Sequence, residues 1–188
     1  MDITLKWAWL KYDIDQETQK TAKCLITDDP TGERTTEAQT ANDQFDMDYC
    51  KRKITESCMK LQDVLHTFFT DIKVYDNSDT EVLMNADDSL LHTATKWVIT
   101  LDNFGSRRNV NSTLMANELH QYVVLYVLQE WCKMTHPTME KNYHERLVNE
   151  ELRVKNIAYR KEVPQRPIGG GEDEDVVISD ETIDEICV

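Results

Sequence analysis

The sequence predicts an α+β fold, in which a helical bundle packs with a small antiparallel β-sheet and an extended terminal arm follows. Two patterns lead to this prediction. Apolar residues recur every three or four positions over residues 47–68 and 114–161, as in helices that bury one face. Residues 3–9 and 96–102 instead alternate or are rich in β-branched and aromatic side chains, as strands are. The bundle is thus expected to hold one long helix and a C-terminal helical hairpin.

Length and composition favour one domain. The chain has 188 residues, and 40% of them are hydrophobic, which suffices for a packed core. We expect a single α+β domain over residues 1–167, followed by a tail at 168–188. A triple glycine, residues 169–171, separates the two after Pro164 and Pro167, and this composition is typical of a hinge.

The first element is predicted to be a strand. Ile3, Leu5, Trp7 and Trp9 stand at alternate positions, the spacing of a half-buried strand, and residues 20–27 are a candidate for its partner. Residues 28–43 show no apolar periodicity and are expected to form a long exposed loop, a kind of loop that is usually functional or disordered.

A long helix should follow, with Asp43 or Asp46 as its N-cap. Its apolar stripe has spacings of three and four over six turns, which indicates core packing. The stripe consists of Met47, Cys50, Ile54, Cys58, Leu61, Leu65 and Phe68.

The pattern of residues 71–102 fits both strand and helix. Ile72 and Val74 and then Val82 and Met84 flank a turn at residues 76–79. The spacing of apolar residues between 90 and 101 also fits a helix. The β-branched and aromatic content of residues 96–102, just before Asn-Phe-Gly-Ser, favours a strand there.

Two helices complete the domain. Residues 114–134 are apolar on nearly all sides in the middle, which predicts a central, enclosed helix capped by Asn111 or Ser112; a strand is the alternative, and length favours the helix. Pro137 suits the first turn of a second helix that runs to about residue 161 and forms an antiparallel hairpin with the first. The expected lining residues of this helix are Met139, Tyr143, Leu147, Leu152 and Tyr159.

The charge of the chain is unevenly distributed. There are 35 acidic and 21 basic residues, a formal net charge of −14. The tail at 168–188 has eight acidic and no basic residues, so −8 of the total lies there and −6 on residues 1–167. This balance argues against a protein that grips nucleic-acid phosphates, or an anionic membrane, through a basic face.

The tail is expected to bind a partner chain. A disordered, solubilising end is the simpler alternative. The tail is too apolar for that role alone, and residues 176–179 could add as a strand to a sheet edge of a neighbouring chain. The predicted partner-binding residues are the apolar Val176, Val177, Ile178, Ile183 and Ile186 and, as possible partners for the tail's acids, the basic Arg107, Arg108, Arg160 and Arg166.

No catalytic, metal or cofactor site is expected, and the chain is not predicted to be an enzyme. The five cysteines are odd in number and lack Cys-x-x-Cys, and the N-terminus lacks a signal peptide's apolar region, so reduced cytosolic thiols and a soluble protein are the simplest expectation. Cys132, His136 and His144 are candidates for a metal site but are interpreted as part of a helix-hairpin surface, and Cys58 with His66 is a candidate for nucleophilic catalysis but Cys58 is interpreted as a small hydrophobic residue. The carboxylate pairs, which are interpreted as solvated charges, are Asp28–Asp29, Asp87–Asp88 and Glu150–Glu151.

One stretch resembles a known group of proteins. It comprises Trp97-Val98-Ile99-Thr100-Leu101, the run from Leu119 to Trp131 (Leu-His-Gln-Tyr-Val-Val-Leu-Tyr-Val-Leu-Gln-Glu-Trp), a helix ending Ala158-Tyr159-Arg160-Lys161, and Pro164-Gln165-Arg166-Pro167. This pattern, over about residues 97–167, is similar to that of small neck proteins of tailed bacteriophages, of the type found in Bacteroides phages and crAss-like phages.

The resemblance implies a structural virion component. Such proteins form homomeric rings between the portal of the head and the tail, so the expected partners are other copies of the chain and the portal or neighbouring neck and tail proteins. DNA would pass through the ring without specific binding, and an acidic bore would let it slide. The implied location is the virion neck, after synthesis in the host cytoplasm, with no membrane partner. A tail-terminator or tail-adaptor protein, or an acidic intracellular adaptor that docks by its C-terminal strand, is the alternative.

Overall fold

The computed structural model describes residues 1–27, 44–82, 88–102 and 110–160. These ranges have an α+β fold with four α-helices and a four-stranded antiparallel sheet. The predicted loop at 28–43, the tail at 168–188 and Arg107, Arg108 and Arg166 lie outside them. The elements are, in chain order, β1 (Asp2–Lys6), α1 (Trp7–Thr27), α2 (Gln44–Val64), β2 (Phe69–Tyr75), β3 (Glu81–Val82), a 3-10 helix (Asp88–Thr93), β4 (Lys96–Leu101), α3 (Ser112–Thr135) and α4 (Pro137–Tyr159).

The sheet has the strand order β1-β4-β2-β3, and every neighbouring pair is antiparallel. Ile99 of β4 lies opposite Ile3 of β1 and Ile72 of β2, so these three side chains form one buried row across the sheet. The predicted strands at 71–75 and 96–102 are confirmed. Their alternation of buried and exposed residues presents one face of the sheet to the helices.

The prediction of a strand through Trp9, and of a partner strand at residues 20–27, is wrong. Ile3 and Leu5 do point into the core from β1, but α1 begins at Trp7 and includes residues 20–27. The buried stripe of α1 is Leu10, Ile14, Thr18 and Thr21. Only two members of this stripe are apolar, so the helical spacing of α1 is a weaker signal than the alternation of Ile3, Leu5, Trp7 and Trp9 that precedes it.

The long helix of the prediction is confirmed as α2. Cys50, Ile54, Cys58 and Leu61 are fully buried along one side of it, and Met47 is half-buried. The helix ends at Val64, earlier than the stripe suggested, and Leu65 and Phe68 enter the core from the turn that follows. All described apolar residues with buried side chains belong to one hydrophobic core.

Helix α3 is the central helix, as predicted. Its residues 122–129 are all buried, because α1, α2, α4 and β1 all pack against it. The Asn111 side-chain oxygen accepts hydrogen bonds from the backbone N–H groups of Thr113 and Leu114 at 3.0 and 3.1 Å, so Asn111 is the N-cap.

Helix α4 follows α3 after His136 alone, and the two helices form the predicted antiparallel hairpin. Pro137 occupies the first turn of α4. The prediction that Leu152 lines the core is wrong, since its side chain is 53% exposed. The buried side of α4 instead continues through Glu150, Val154 and Ala158. Because Glu150 is charged, the sequence pattern does not mark it as buried and indicates Leu152 as the next buried residue instead.

Candidate functional site

Two large aromatic side chains are exposed on one side of α1. Trp9 is 61% and Tyr12 is 64% exposed, and they stand one helical turn apart. They lie beside a groove of about 370 Å³ between α1 and α3. The described residues that line this groove are Trp9, Tyr12, Asp13, Asn117, His120 and Gln121.

The groove continues along α1. A second depression of about 310 Å³ shares Tyr12, Asp13 and Gln121 with the first, so the two form one continuous groove. Apolar side chains from α3 line this second part, which also touches Lys20 of α1 and Arg146 of α4. We call the two parts together the α1 groove. From Trp9 to Lys20 it follows eleven helical steps, or about 16 Å.

The acidic residues within the α1 groove are each paired. His120 donates a hydrogen bond from Nε2 to the Asp13 carboxylate at 2.6 Å. Glu17 accepts hydrogen bonds from Lys20 at 2.7 Å and from Arg146 at 3.4 Å. Burial alone would raise the pKa of Glu17, but the two cations outweigh it and lower the pKa below its usual value.

A lysine stands at the other end of the α1 groove. The ammonium of Lys6 lies 5.2 Å from the centre of the Trp9 ring, a cation–π contact. Among the described residues, none forms an ion pair with Lys6. The α1 groove therefore has its two aromatic side chains near the Lys6 end and two further basic side chains, Lys20 and Arg146, at the opposite end.

The chemistry of this groove is that of a contact surface. The Asp13–His120 pair could orient an imidazole for catalysis, but none of the described residues lining the first part is a serine, threonine or cysteine for it to activate. Exposed tryptophan and tyrosine surrounded by polar and charged groups are typical of protein interfaces.

A charged cluster links α2 to α3 on the other side of the central helix. The Tyr126 hydroxyl donates to Glu56 and accepts from Lys60, both at 2.6 Å, and Lys53 pairs with Glu56 and Glu130 at 2.7 and 3.2 Å. Burial alone would raise the pKa of Glu56, but the bonds from Lys53, Tyr126 and Lys60 outweigh it and lower the pKa to about 2. The donors and acceptors of this cluster are paired with one another, so the cluster stabilises the contact between α2 and α3.

The thiols of the core lie away from solvent. Burial raises the pKa of Cys50 and of Cys58 to about 12 and that of Cys132 to about 11. A buried thiol with so high a pKa is a poor nucleophile. The interpretation of Cys58 as a small hydrophobic residue therefore agrees with its position in the core.

The residues weighed for a metal are not brought together. Cys132 and His136 are buried at the hairpin, whereas His144 is exposed and contacts Gln129 through Nδ1 at 3.2 Å. Within the ranges that the structure describes, no three His, Cys, Asp or Glu side chains are grouped to hold a metal ion. None of the helices in those ranges is long and apolar enough to cross a bilayer.

The interpretation of Glu150 as a solvated charge is wrong. Its side chain is 6% exposed, and burial, followed by the nearby carboxylate of Glu118, raises its pKa to about 7. Glu151 does face solvent and pairs with Lys155 at 2.6 Å. Helical spacing from Leu147 could have identified the buried position, because residue 150 is three steps further.

Of the nine predicted partner-binding residues, only Arg160 lies in the described ranges. It is exposed, directly after α4. The α1 groove was missed, because Trp9 was assigned to the buried side of a strand. The signal that could have revealed it is the helical stripe Leu10–Ile14, which leaves Trp9 and Tyr12 on another side of the helix. Comparison with known protein families, with curated proteins and with solved structures finds no match to this chain.

Proposed function

We propose that this chain is a structural component of the neck of a tailed bacteriophage, and that its copies form a ring connecting the portal to the tail around the DNA channel. The observation that carries the proposal is the α1 groove, in which Trp9 and Tyr12 are exposed side by side. Adjacent exposed aromatic residues beside a groove favour a protein partner over solvent. The kind of assembly is proposed from the resemblance in the sequence pattern of residues 97–167 to phage neck proteins.

A ring needs two different surfaces on each subunit. In a closed ring every copy contacts one neighbour through one surface and the other neighbour through another. The α3 residues at the α1 groove and those that contact α2 are about half a turn apart around α3. The first set is Asn117, His120 and Gln121, and the second is Tyr122, Tyr126 and Glu130. Helices α1 and α2 therefore lie on opposite sides of the subunit, as this kind of assembly requires.

The charge of the chain suits a channel for DNA. The formal net charge of −14 gives a ring of several copies a strongly negative surface. A negative bore repels the phosphates, so DNA passes without being held. The acidic balance thus supports a passage rather than a binding site for nucleic acid.

Mass photometry and negative-stain electron microscopy of the purified full-length protein test the proposal. We expect closed rings, and we expect the W9S/Y12S double variant to remain monomeric with an unchanged far-UV circular dichroism spectrum. The matched control is L152S, which also removes an exposed apolar side chain but on α4; it should still form rings. Monomers of the wild-type protein at high concentration would overturn the ring.

The role in a phage virion is tested by the position of the gene. We expect the genes on either side of the gene for this chain to encode a portal, a capsid protein or a terminase. A neighbourhood of host metabolic genes would contradict a virion role, even if the protein proved to be a ring.

A further inference from the structure

We infer that the α1 groove of each copy receives residues 175–180 of the C-terminal tail of a neighbouring copy. This inference rests on the proposed ring and names the contact within it. It also replaces strand addition at a sheet edge as the way in which the tail binds.

The order of charged and apolar groups is complementary in the two partners. The tail has four acidic residues at 172–175, then Val176, Val177, Ile178 and Ser179, and then Asp180 and Glu181. The α1 groove has Lys6 beside Trp9 at one end, Tyr12 next to it, and Lys20 with Arg146 at the other end, where the two cations share the single carboxylate of Glu17 and leave a net positive charge. An acid–apolar–acid segment therefore meets a base–aromatic–base groove.

The two partners also match in length. The groove follows α1 for about 16 Å. An extended chain rises about 3.3 Å per residue, so the five steps from residue 175 to residue 180 span about 16 Å as well. With the apolar side chains over Trp9 and Tyr12, Asp175 lies at the Trp9 end, where Lys6 contacts the ring. Asp180 and Glu181 lie about 7 to 10 Å beyond Ile178, against about 12 Å along α1 from Tyr12 to Lys20, a difference that a lysine side chain can span.

The contact has the properties that a ring interface needs. Burial of valine and isoleucine against the exposed rings supplies the attraction, because aromatic side chains are frequent anchors of interfaces. The charge pairs at the ends fix the register of the segment and make the contact sensitive to salt. Every copy carries both the groove and the segment, so the same contact repeats from one copy to the next around the ring.

Zero-length carbodiimide crosslinking of the full-length protein tests the inference, because this reagent joins carboxylates to lysine amines that are in contact. Equal amounts of ¹⁴N- and ¹⁵N-labelled protein are mixed, dissociated and reassembled before coupling. We expect crosslinks from the tail acids at 172–175 and 180–181 to both Lys6 and Lys20, and we expect them to include species that join a light and a heavy chain. Lys141 on α4, which is exposed away from the α1 groove, serves as the internal reference.

A variant within the segment and a matched one outside it complete the design. V177D places a charge against the aromatic rings, so we expect these crosslinks to fall by about tenfold or more. V188D makes the same valine-to-aspartate change in the same tail, outside the segment and outside the predicted partner-binding residues, and should leave the yield unchanged.

The possible failures are distinguishable. Rings without crosslinks above the level at Lys141 would overturn the tail contact and leave the ring standing. Crosslinks only within light or heavy chains would show that each tail binds its own subunit, which also overturns the inference. Crosslinks to Lys6 alone that persist in W9S/Y12S would place the tail at the edge of β1 and not in the α1 groove, which also overturns the inference. Monomers without crosslinks would contradict the proposed function itself.

Discussion

The side chain of Glu150 on α4 is buried, and the carboxylate of Glu118 on α3 lies close enough to act on its charge. Two neighbouring carboxylates repel each other when both are ionised, so the protonated form of the buried one is favoured. The Oε2 atom of Glu150 accepts a hydrogen bond from Arg153 at 3.3 Å, whereas its Oε1 is buried without a hydrogen-bond partner among the described residues. The helical hairpin therefore contains a proton-dependent link, beside its apolar packing and the contacts of Gln129 with Glu140 and His144.

We expect the free energy of unfolding to decrease as the pH rises towards neutrality, because Glu150 in the hairpin loses its proton. Burial and the charge of Glu118 raise the pKa of Glu150 from 4.5 to about 7 in the folded chain. The stability contributed by protonated Glu150 is complete below about pH 4.5 and is lost above about pH 7, an effect of about 3 kcal/mol. Urea denaturation of wild type and E150Q between pH 4.5 and 8 measures it. The E150Q variant should be the more stable of the two at pH 8 and similar to wild type at pH 4.5.

The neighbouring glutamate provides the control. Glu151 has the same chemistry but pairs with Lys155 at the surface. E151Q should follow the wild-type curve to within about 0.5 kcal/mol, because exposed ion pairs contribute little. If E150Q and E151Q shift the curve equally, Glu150 titrates as an ordinary surface carboxylate and the protonated link does not exist.

A buried hydrogen bond ties the sheet to α2. The indole N–H of Trp97 on β4 donates to the Thr55 hydroxyl at 2.9 Å. In T55V the shape of the side chain is kept, but this N–H loses its partner while it remains buried. We expect the free energy of unfolding to fall by about 1 to 3 kcal/mol in chemical denaturation. T100V, which removes a hydroxyl that bonds Asp2 at the surface, should cost less than about 0.5 kcal/mol.

The parts of the fold that could be predicted are those whose apolar periodicity is uninterrupted. The stripe through Cys50, Ile54 and Cys58 is apolar at every step, and the β-branched run of residues 97–100 has no polar break in its buried row. Local pattern and tertiary burial agree at these positions, so α2 and β4 follow from the sequence.

The parts that could not be predicted are those where a polar residue occupies a buried position. Thr18 and Thr21 complete the buried side of α1, and Thr21 is satisfied there by the Tyr143 hydroxyl at 2.8 Å. Glu150 does the same for α4. In both helices the buried polar group lies against a residue from a distant part of the chain, Tyr143 for Thr21 and Glu118 for Glu150, and no local pattern contains that information. The α1 groove was missed for the same reason, since it exists only once α1 is a helix beside α3.

The corrected face of α4 leads to a direct comparison of two leucines. Leu147 is 8% exposed and packs in the core, whereas Leu152 is 53% exposed. We expect L147A to destabilise the chain by about 2 to 5 kcal/mol, because it removes buried methyl groups and leaves a cavity. L152A should cost less than about 1 kcal/mol in the same denaturation experiment. Equal losses would mean that α4 is rotated relative to the arrangement described.

The core thiols should be accessible to reagents only after unfolding. Cys50, Cys58 and Cys132 are buried with raised pKa values, so at pH 8 they lack both exposure and thiolate character. We expect iodoacetamide to label these three slowly in the native protein and rapidly in 8 M urea (about the highest concentration in routine use), with the sites read by peptide mass spectrometry. Labelling should accelerate in L147A, since a less stable core opens more often. Fast labelling of Cys58 in the native wild type would contradict its enclosure between α2 and the rest of the core.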